Sequence, residues 1–166
     1  NPARGNSMAL NFRRVVTGHD DKGNATVMYD SIAPNVKSGR PGQAACVVWT
    51  TDTTPVDNTG DWDEGTREVA TTHAGGTVFR LVEYGPGVSP RRHRTDSIDY
   101  AVVMSGEIDM RLDGDEVVHL KAGDVLVQRG TIHDWVNNGS EPCVIAFVLI
   151  DARPVAVGGR VLDAEG

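Results

Sequence analysis

Short apolar segments separated by turn residues dominate the sequence from residue 77 onward. Between Thr77 and Glu83 the side chains alternate, with Phe79 and Leu81 on one face of the predicted strand and Arg80 on the other. Further strands are predicted at 98–104, 107–113, 117–120, 125–128, 133–136 and 143–150. The turns between them contain the Gly, Asn and Asp residues that hairpins favour. Many short strands at regular spacing predict an all-β sandwich or barrel.

The N-terminal part of the chain also has the pattern of β-structure. Strands predicted at 12–18 and 25–32 flank a polar turn, which is typical of a hairpin. A loop is predicted over 34–42, and a strand that contains Trp49 follows at 44–51. These elements are expected to add strands to the main sheet structure.

Three segments fall outside this pattern. Residues 52–76 form a long irregular stretch, which predicts a lid or binding loop or, alternatively, a surface loop with Trp62 packed against the body. Residues 1–11 are expected to be a tag remnant or a disordered arm, and 154–166 a C-terminal tail that is an arm or a frayed end. The remaining residues, 12–153, are predicted to form one domain.

Composition restricts the possible partners. The 166 residues suit a single domain, and the net charge of −7 argues against nucleic acid, because the basic residues cluster only around 91–94. No apolar run approaches the roughly 18 residues that span a membrane. Cys46 and Cys143 lack the spacing of metal ligands and are predicted to be buried, reduced thiols. Together with the absence of a secretory signal, this predicts a cytoplasmic protein.

Polar residues enter the predicted strands at two places that can meet. His93 and Thr95 are two positions apart, so their side chains point to the same face of a strand. Asp99 shares its face with apolar neighbours, and a polar side chain in such a place suggests the wall of a pocket. His133 follows about one hairpin after the strand that contains Asp99. If the sheet closes on itself, the two histidines and Asp99 converge.

The segments 87–106 and 123–137 resemble the paired motifs of the cupin superfamily. The positions that match are Gly87, His93, Gly106, Gly123, Gly130, His133 and Asn137. Thr95 and Asp99 stand where the family's first motif has its second His and its Glu. The resemblance covers about residues 77–150, and it implies a jelly-roll barrel of six to ten strands, usually a homodimer, with a pocket inside.

The resemblance also implies a metal site. Cupins generally bind a divalent metal, and the matching positions here are His93, Asp99 and His133, a set that accepts Fe, Zn, Mn or Ni. The alternative is a metal-free pocket in which the histidines hydrogen-bond to Asp99 and Thr95. In that case Asp99 and His133 are candidate catalytic residues, because an Asp beside a His forms an acid–base pair.

Other residues are candidates for binding a small-molecule substrate. They are Trp49, Arg80, Thr95, Gln128 and Trp135. Arg80 interrupts an apolar strand, where its planar fork suits a carboxylate or enolate oxygen; otherwise it faces outward. Trp135 shares a face with His133, which places it in the pocket or in the core.

These features predict an enzyme that acts on a small carbonyl- or carboxylate-bearing molecule. Lyase-like chemistry fits best, by dehydration, decarboxylation or isomerisation. Two alternatives remain: a non-haem Fe(II) dioxygenase, and a metal-free ligand-binding or sensor barrel without catalytic activity.

Overall fold

The computed structural model describes residues 10–166, which contain thirteen strands, one 3-10 turn and no α-helix. The strands are β1 (Arg13–His19), β2 (Ala25–Ile32), β3 (Val36–Ser38), β4 (Gln43–Thr51), β5 (Thr77–Tyr84), β6 (Ser97–Ser105), β7 (Glu107–Arg111), β8 (Val117–Lys121), β9 (Val125–Arg129), β10 (Asp134–Val136), β11 (Cys143–Asp151), β12 (Val155–Val157) and β13 (Arg160–Leu162). The predicted all-β fold is confirmed. Within these residues no helical segment is long and apolar enough to cross a membrane.

Two sheets form the body of the molecule. A six-stranded sheet has the order β3-β4-β5-β11-β6-β9, and a three-stranded sheet has the order β10-β7-β8. The main core lies between them, with Val78, Ile145 and Ile108 almost fully buried. Strand β11 pairs with β5 on one side and β6 on the other, so that Phe147 lies between Arg80 and Ala101 on one face of the sheet. That register directs the Arg80 side chain toward the interior.

The predicted N-terminal hairpin is present as β1 and β2. The segment before it contributes Leu10 to a second, smaller core, where Leu10 packs with Cys46 and Leu81 on the outer face of the six-stranded sheet. Cys46 and Cys143 are both buried and free, as predicted. The expected tag remnant or arm at 1–11 lies outside the described residues except for its last two positions.

The segment 52–76 is tied to the outside of β4. At its 3-10 turn, Glu64–Thr66, the Glu64 carbonyl accepts a hydrogen bond from Thr50 Oγ1 at 2.7 Å. Trp62 is 70% exposed, so the expectation that it packs against the body is wrong. Thr71 lines the interior cavity, so this segment borders the candidate site at one residue.

Two predictions about irregular regions are corrected. Strand β3 forms inside the predicted loop 34–42, where it pairs with β4. The C-terminal tail is not frayed: β12 and β13 form a hairpin, and Glu165 bridges to Arg94 through two backbone hydrogen bonds. Strands of three residues are too short to show alternation, and their pairing depends on tertiary contacts that the sequence pattern does not reveal.

Candidate active site

A single cavity between the sheets contains the residues that the sequence pattern had brought together. His93, Asp99 and His133 all line it, together with Thr95 and Gln128. The cavity volume is about 40 Å³, which holds roughly three water molecules at ~12 Å³ each. The site therefore admits a small group, and the rest of a larger ligand would extend toward the mouth.

The two histidines are joined by an isolated antiparallel bridge. Each backbone N–H donates to the other residue's carbonyl at 3.0 Å, and the ring centroids lie 4.3 Å apart. His93 Nδ1 lies 2.9 Å from the Arg91 carbonyl oxygen, and His133 Nδ1 lies 2.9 Å from that of Thr131. Because a carbonyl can only accept, each Nδ1 carries the proton. Each neutral ring therefore has its lone pair on Nε2.

Burial determines the charge state of both rings. It lowers the pKa of His133 to about 4, and the nearby Arg91 guanidinium adds to the effect. Burial also lowers the pKa of His93, again with a contribution from Arg91 and with one from Arg40. Both imidazoles are therefore neutral near pH 7 and can accept a proton.

Asp99 lies on β6 and is 4% exposed. Ser97 Oγ donates to its Oδ1 at 2.6 Å, and Thr95 Oγ1 lies 2.8 Å from Ser97 Oγ. Burial raises the pKa of Asp99, and the Ser97 hydrogen bond opposes this shift. The carboxyl group thus bonds to a hydroxyl on its own strand. The predicted hydrogen bonds from the histidines to Asp99 and Thr95 are replaced by bonds to backbone carbonyls.

The proposed ligand set does not fit a three-residue metal centre. Within residues 10–166 no three His, Cys, Asp or Glu side chains are arranged to hold a metal ion. Asp99 is one methylene shorter than the Glu of the motif, and its Oδ1 accepts the Ser97 hydrogen bond. Thr95 stands where the motif has its second His, and its hydroxyl is hydrogen-bonded to Ser97. The imidazole ligand of that position is therefore missing.

Arg80 and Gln128 place polar atoms inside the cavity. Arg80 lies on the inner side of β5, which excludes the outward-facing alternative, and its Nε is buried without a hydrogen-bond partner. Gln128 is 3% exposed; its Nε2 donates to Met110 Sδ at 3.3 Å, and its Oε1 is buried without a partner. These atoms are free to bind a ligand.

The tryptophans separate into different environments. Trp135 is 2% exposed and stacks edge-on against Phe147 and His133 with centroid separations of 6.0 Å, so it both lines the cavity and belongs to the core. Trp49 lies neither at the cavity nor in the main core. A β-bulge after Val47 shifts the register, so that Trp49 pairs with exposed Phe79 and lines a separate outer groove.

Trp49 stays a predicted substrate-binding residue, but the structure places it outside the cavity. An extra residue in a strand reverses which face the following side chains occupy. Nothing in the local composition marks this bulge, and simple alternation from Val47 would have put Trp49 inside.

Several cavity residues were missed in the sequence. Tyr84 follows Arg80 and Val82 on the same face of β5, so strand alternation could have identified it. Arg40 reaches the cavity from a loop, where no periodicity applies.

Comparison with known proteins identifies the family. Residues 80–150 match the family described as Cupin domain. The chain is 35% identical over 157 residues to the cupin-domain-containing oxidoreductase fogC of Aspergillus ruber, covering 90% of this chain and 77% of the relative. It is 38% identical over 159 residues to phomopsin biosynthesis cluster protein C' of Diaporthe leptostromiformis, covering 90% and 83%.

A solved structure supports the same fold. An uncharacterised conserved protein with a double-stranded beta-helix domain from Klebsiella pneumoniae superposes with a TM-score of 0.50 at 22% identity, covering 70% of this chain and 84% of that protein. At this identity the likeness concerns the fold alone. With the paired motifs around one interior cavity, these matches show that the chain belongs to the cupin superfamily.

Proposed function

We propose that this cupin is a small-molecule enzyme that removes a proton next to a carbonyl group and then eliminates water or returns the proton at another carbon. One observation carries the proposal. Two neutral imidazoles, each with Nδ1–H bound to a backbone carbonyl, share a small cavity with a buried carboxyl group. This arrangement provides bases and an acid in fixed positions.

The surroundings of His133 and Asp99 suggest which of them accepts a proton and which donates one. His133, held neutral by burial, accepts the proton from the carbon beside the carbonyl through Nε2. Asp99, whose pKa is raised by burial, donates its proton to the hydroxyl that leaves as water, and a carbon–carbon double bond forms. A proton then passes from His133 to Asp99 through solvent and restores both groups. The positive charge of Arg80 stabilises the carbonyl oxygen as negative charge develops on it.

Deuterium exchange tests the proposal with simple compounds in place of the natural substrate. A panel of β-hydroxy ketones and β-hydroxy acids is incubated with the protein in D₂O, and NMR measures exchange of the hydrogen beside the carbonyl and loss of water. His133→Gln is expected to lower the rate by about 10²- to 10⁴-fold, because it removes the proton acceptor.

The matched control is His119→Gln. His119 is exposed on β8 and hydrogen-bonds to Asp109 and Glu107, away from the cavity. This variant should catalyse the exchange at the wild-type rate. Equal rates in His133→Gln and the wild type would contradict the assignment. An absence of exchange with every compound, together with saturable binding, would instead favour the ligand-binding protein without activity.

The names of the relatives favour a second candidate, an oxidoreductase. Proteins from Aspergillus ruber and Neurospora crassa that resemble this chain are called cupin-domain-containing oxidoreductases, and cupins commonly bind divalent metals. Metal analysis of the purified protein with oxygen uptake distinguishes the two. Stoichiometric iron that is lost in His93→Ala, with substrate-dependent oxygen consumption, would support the redox reaction.

A further inference from the structure

We infer that the cavity binds the carboxylate end of a hydroxy acid, with Arg80 and Arg40 on the carboxylate and Gln128 on the hydroxyl. This deepens the proposed function, and it rests on that function only for the identity of the site. The binding itself follows from polar groups that lack partners.

Unpartnered polar atoms concentrate in this cavity. Within residues 10–166, six buried side-chain nitrogen or oxygen atoms have no hydrogen-bond partner. Three of them, Arg40 Nη2, Arg80 Nε and Gln128 Oε1, belong to residues that line this one cavity. Buried polar groups are almost always hydrogen-bonded in folded proteins, so a cluster of exceptions indicates that a ligand supplies the partners. Two of the three atoms are donors on cations, and the third is an acceptor.

The charges around the cavity require an anion. In the described part of the chain Arg80 forms no ion pair or hydrogen bond, and Arg40 donates only to the Ser89 carbonyl, through Nε. Arg91 also lines the cavity, and Asp99 contributes the one carboxyl group among the lining residues. Three arginines and one carboxyl group therefore line this cavity in a chain whose net charge is −7. A cation that is partly removed from water without a counter-ion is unfavourable, and a bound anion reduces that penalty.

A carboxylate fits the geometry better than a larger anion. The cavity volume is only about 40 Å³, roughly three times the ~12 Å³ that one water needs, so a compact planar group suits it better than a bulky anion. The planar fork of Arg80 can bind its two oxygens together. The carbon chain of the ligand then leads toward the mouth.

Gln128 identifies the second group of the ligand. The thioether of Met110 can only accept, so the amide nitrogen of Gln128 faces it and Oε1 faces away. Oε1 therefore needs a donor, which a hydroxyl group provides. Gln128 pairs directly with Asp99 across β9 and β6. A hydroxyl that donates to Gln128 thus lies beside Asp99, the group that would protonate it as it leaves.

Binding measurements test the inference independently of turnover. NMR titrations compare 3-hydroxybutanoate with its methyl ester and with butanoate. The wild-type protein should bind 3-hydroxybutanoate most tightly. Arg80→Met should weaken binding of the hydroxy acid by at least about tenfold and leave binding of the ester unchanged. Gln128→Met should remove the preference for 3-hydroxybutanoate over butanoate.

The control variant is Arg160→Met, which removes an exposed arginine on β13 and should bind all three compounds as the wild type does. Equal loss of acid and ester binding in Arg80→Met would overturn the carboxylate assignment, as would an absence of saturable binding up to about 10 mM in the wild type. Binding that follows the expected pattern without deuterium exchange would leave this inference standing and remove the proposed reaction. Deuterium exchange by the wild type, without tighter binding of 3-hydroxybutanoate than of its ester, would remove this inference and leave the proposed reaction standing.

Discussion

Arg14 and Arg80 both place a guanidinium group inside the fold, and their surroundings differ completely. Arg14 on β1 is 5% exposed; its Nη1 and Nη2 donate to the Asp63 carboxylate at 2.7 and 2.6 Å, and Nη1 also reaches the Val48 carbonyl. Arg80 has no carboxylate or carbonyl partner within residues 10–166. A buried arginine with its carboxylate supplied by the chain stabilises the fold, whereas one whose counter-ion must come from outside serves binding.

The Arg14 site has a clear structural purpose. Asp63 also accepts a hydrogen bond from the Gly65 backbone N–H at 2.9 Å and caps the 3-10 turn. One ion pair therefore ties the hairpin of β1 and β2 to the segment 52–76. The cavity contains no such ion pair for Arg80, and this difference between the two regions can be tested by stability measurements.

The largest effect is expected for Asp63→Asn. It leaves the Arg14 guanidinium buried without a negative charge and should lower the free energy of unfolding by about 4 kcal/mol, measured by urea denaturation. The control is Asp30→Asn on the same hairpin, where the Arg13–Asp30 pair is exposed. That variant should change the stability by less than about 1 kcal/mol. If both variants lose a similar free energy of unfolding, the buried Arg14–Asp63 pair stabilises the fold no more than the exposed Arg13–Asp30 pair does.

As the pH falls, the stability contributed by His133 in the cavity should be lost before that of the Arg14–Asp63 ion pair. His133 has a folded-state pKa of about 4, below its value in the unfolded chain, so the unfolded state takes up the proton first. Stability should therefore fall as the pH decreases from about 6.5 to about 4, by on the order of 3 kcal/mol. Arg14 lowers the pKa of Asp63, and that contribution is present above the unfolded-state pKa and is lost only at more acidic pH.

The measurement is the free energy of unfolding against pH for the wild type and His133→Gln. Their difference isolates His133, because Asp99 is present in both and its raised pKa acts with the opposite sign. The stability of the wild type relative to the variant should fall by on the order of 3 kcal/mol between pH 6.5 and 4. A slope that is unchanged in His133→Gln would show that the imidazole is not held neutral.

The smallest effect on stability is expected for Arg80→Met. Without ligand, replacing an unpaired and half-buried cation by an apolar side chain should leave the stability unchanged or raise it by about 1–2 kcal/mol. Arg14→Met should instead destabilise the protein. Thermal denaturation in buffer free of carboxylates compares the two variants. A loss of several kcal/mol in Arg80→Met would make Arg80 a structural residue like Arg14.

Strand alternation in the sequence predicted much of the fold and most of the cavity. It put Arg80 on the opposite face of β5 from Phe79 and Leu81 and left open whether that face points inward, which the regular registers of β5 with β11 and β4 then decide. It failed at Trp49, because a bulge interrupts β4. It also paired Asp99 with the histidines, whereas the hydroxyl of Ser97, two residues away on the same strand face, is closer.

Arg40 was the least predictable of the three arginines at the site. It enters the cavity from a loop whose path is fixed by tertiary contacts, such as the hydrogen bond from Arg40 Nε to the Ser89 carbonyl at 2.8 Å. Sequence spacing contains no information about such paths.

Each imidazole is oriented by the carbonyl two residues before it in its own segment, Arg91 for His93 and Thr131 for His133. Neither ring depends on the other for its tautomer. The two histidines are therefore oriented independently, and replacing one should leave the proton of the other on Nδ1. A laboratory evolution experiment could therefore exchange one imidazole at a time and pass through intermediates that still retain half of the site.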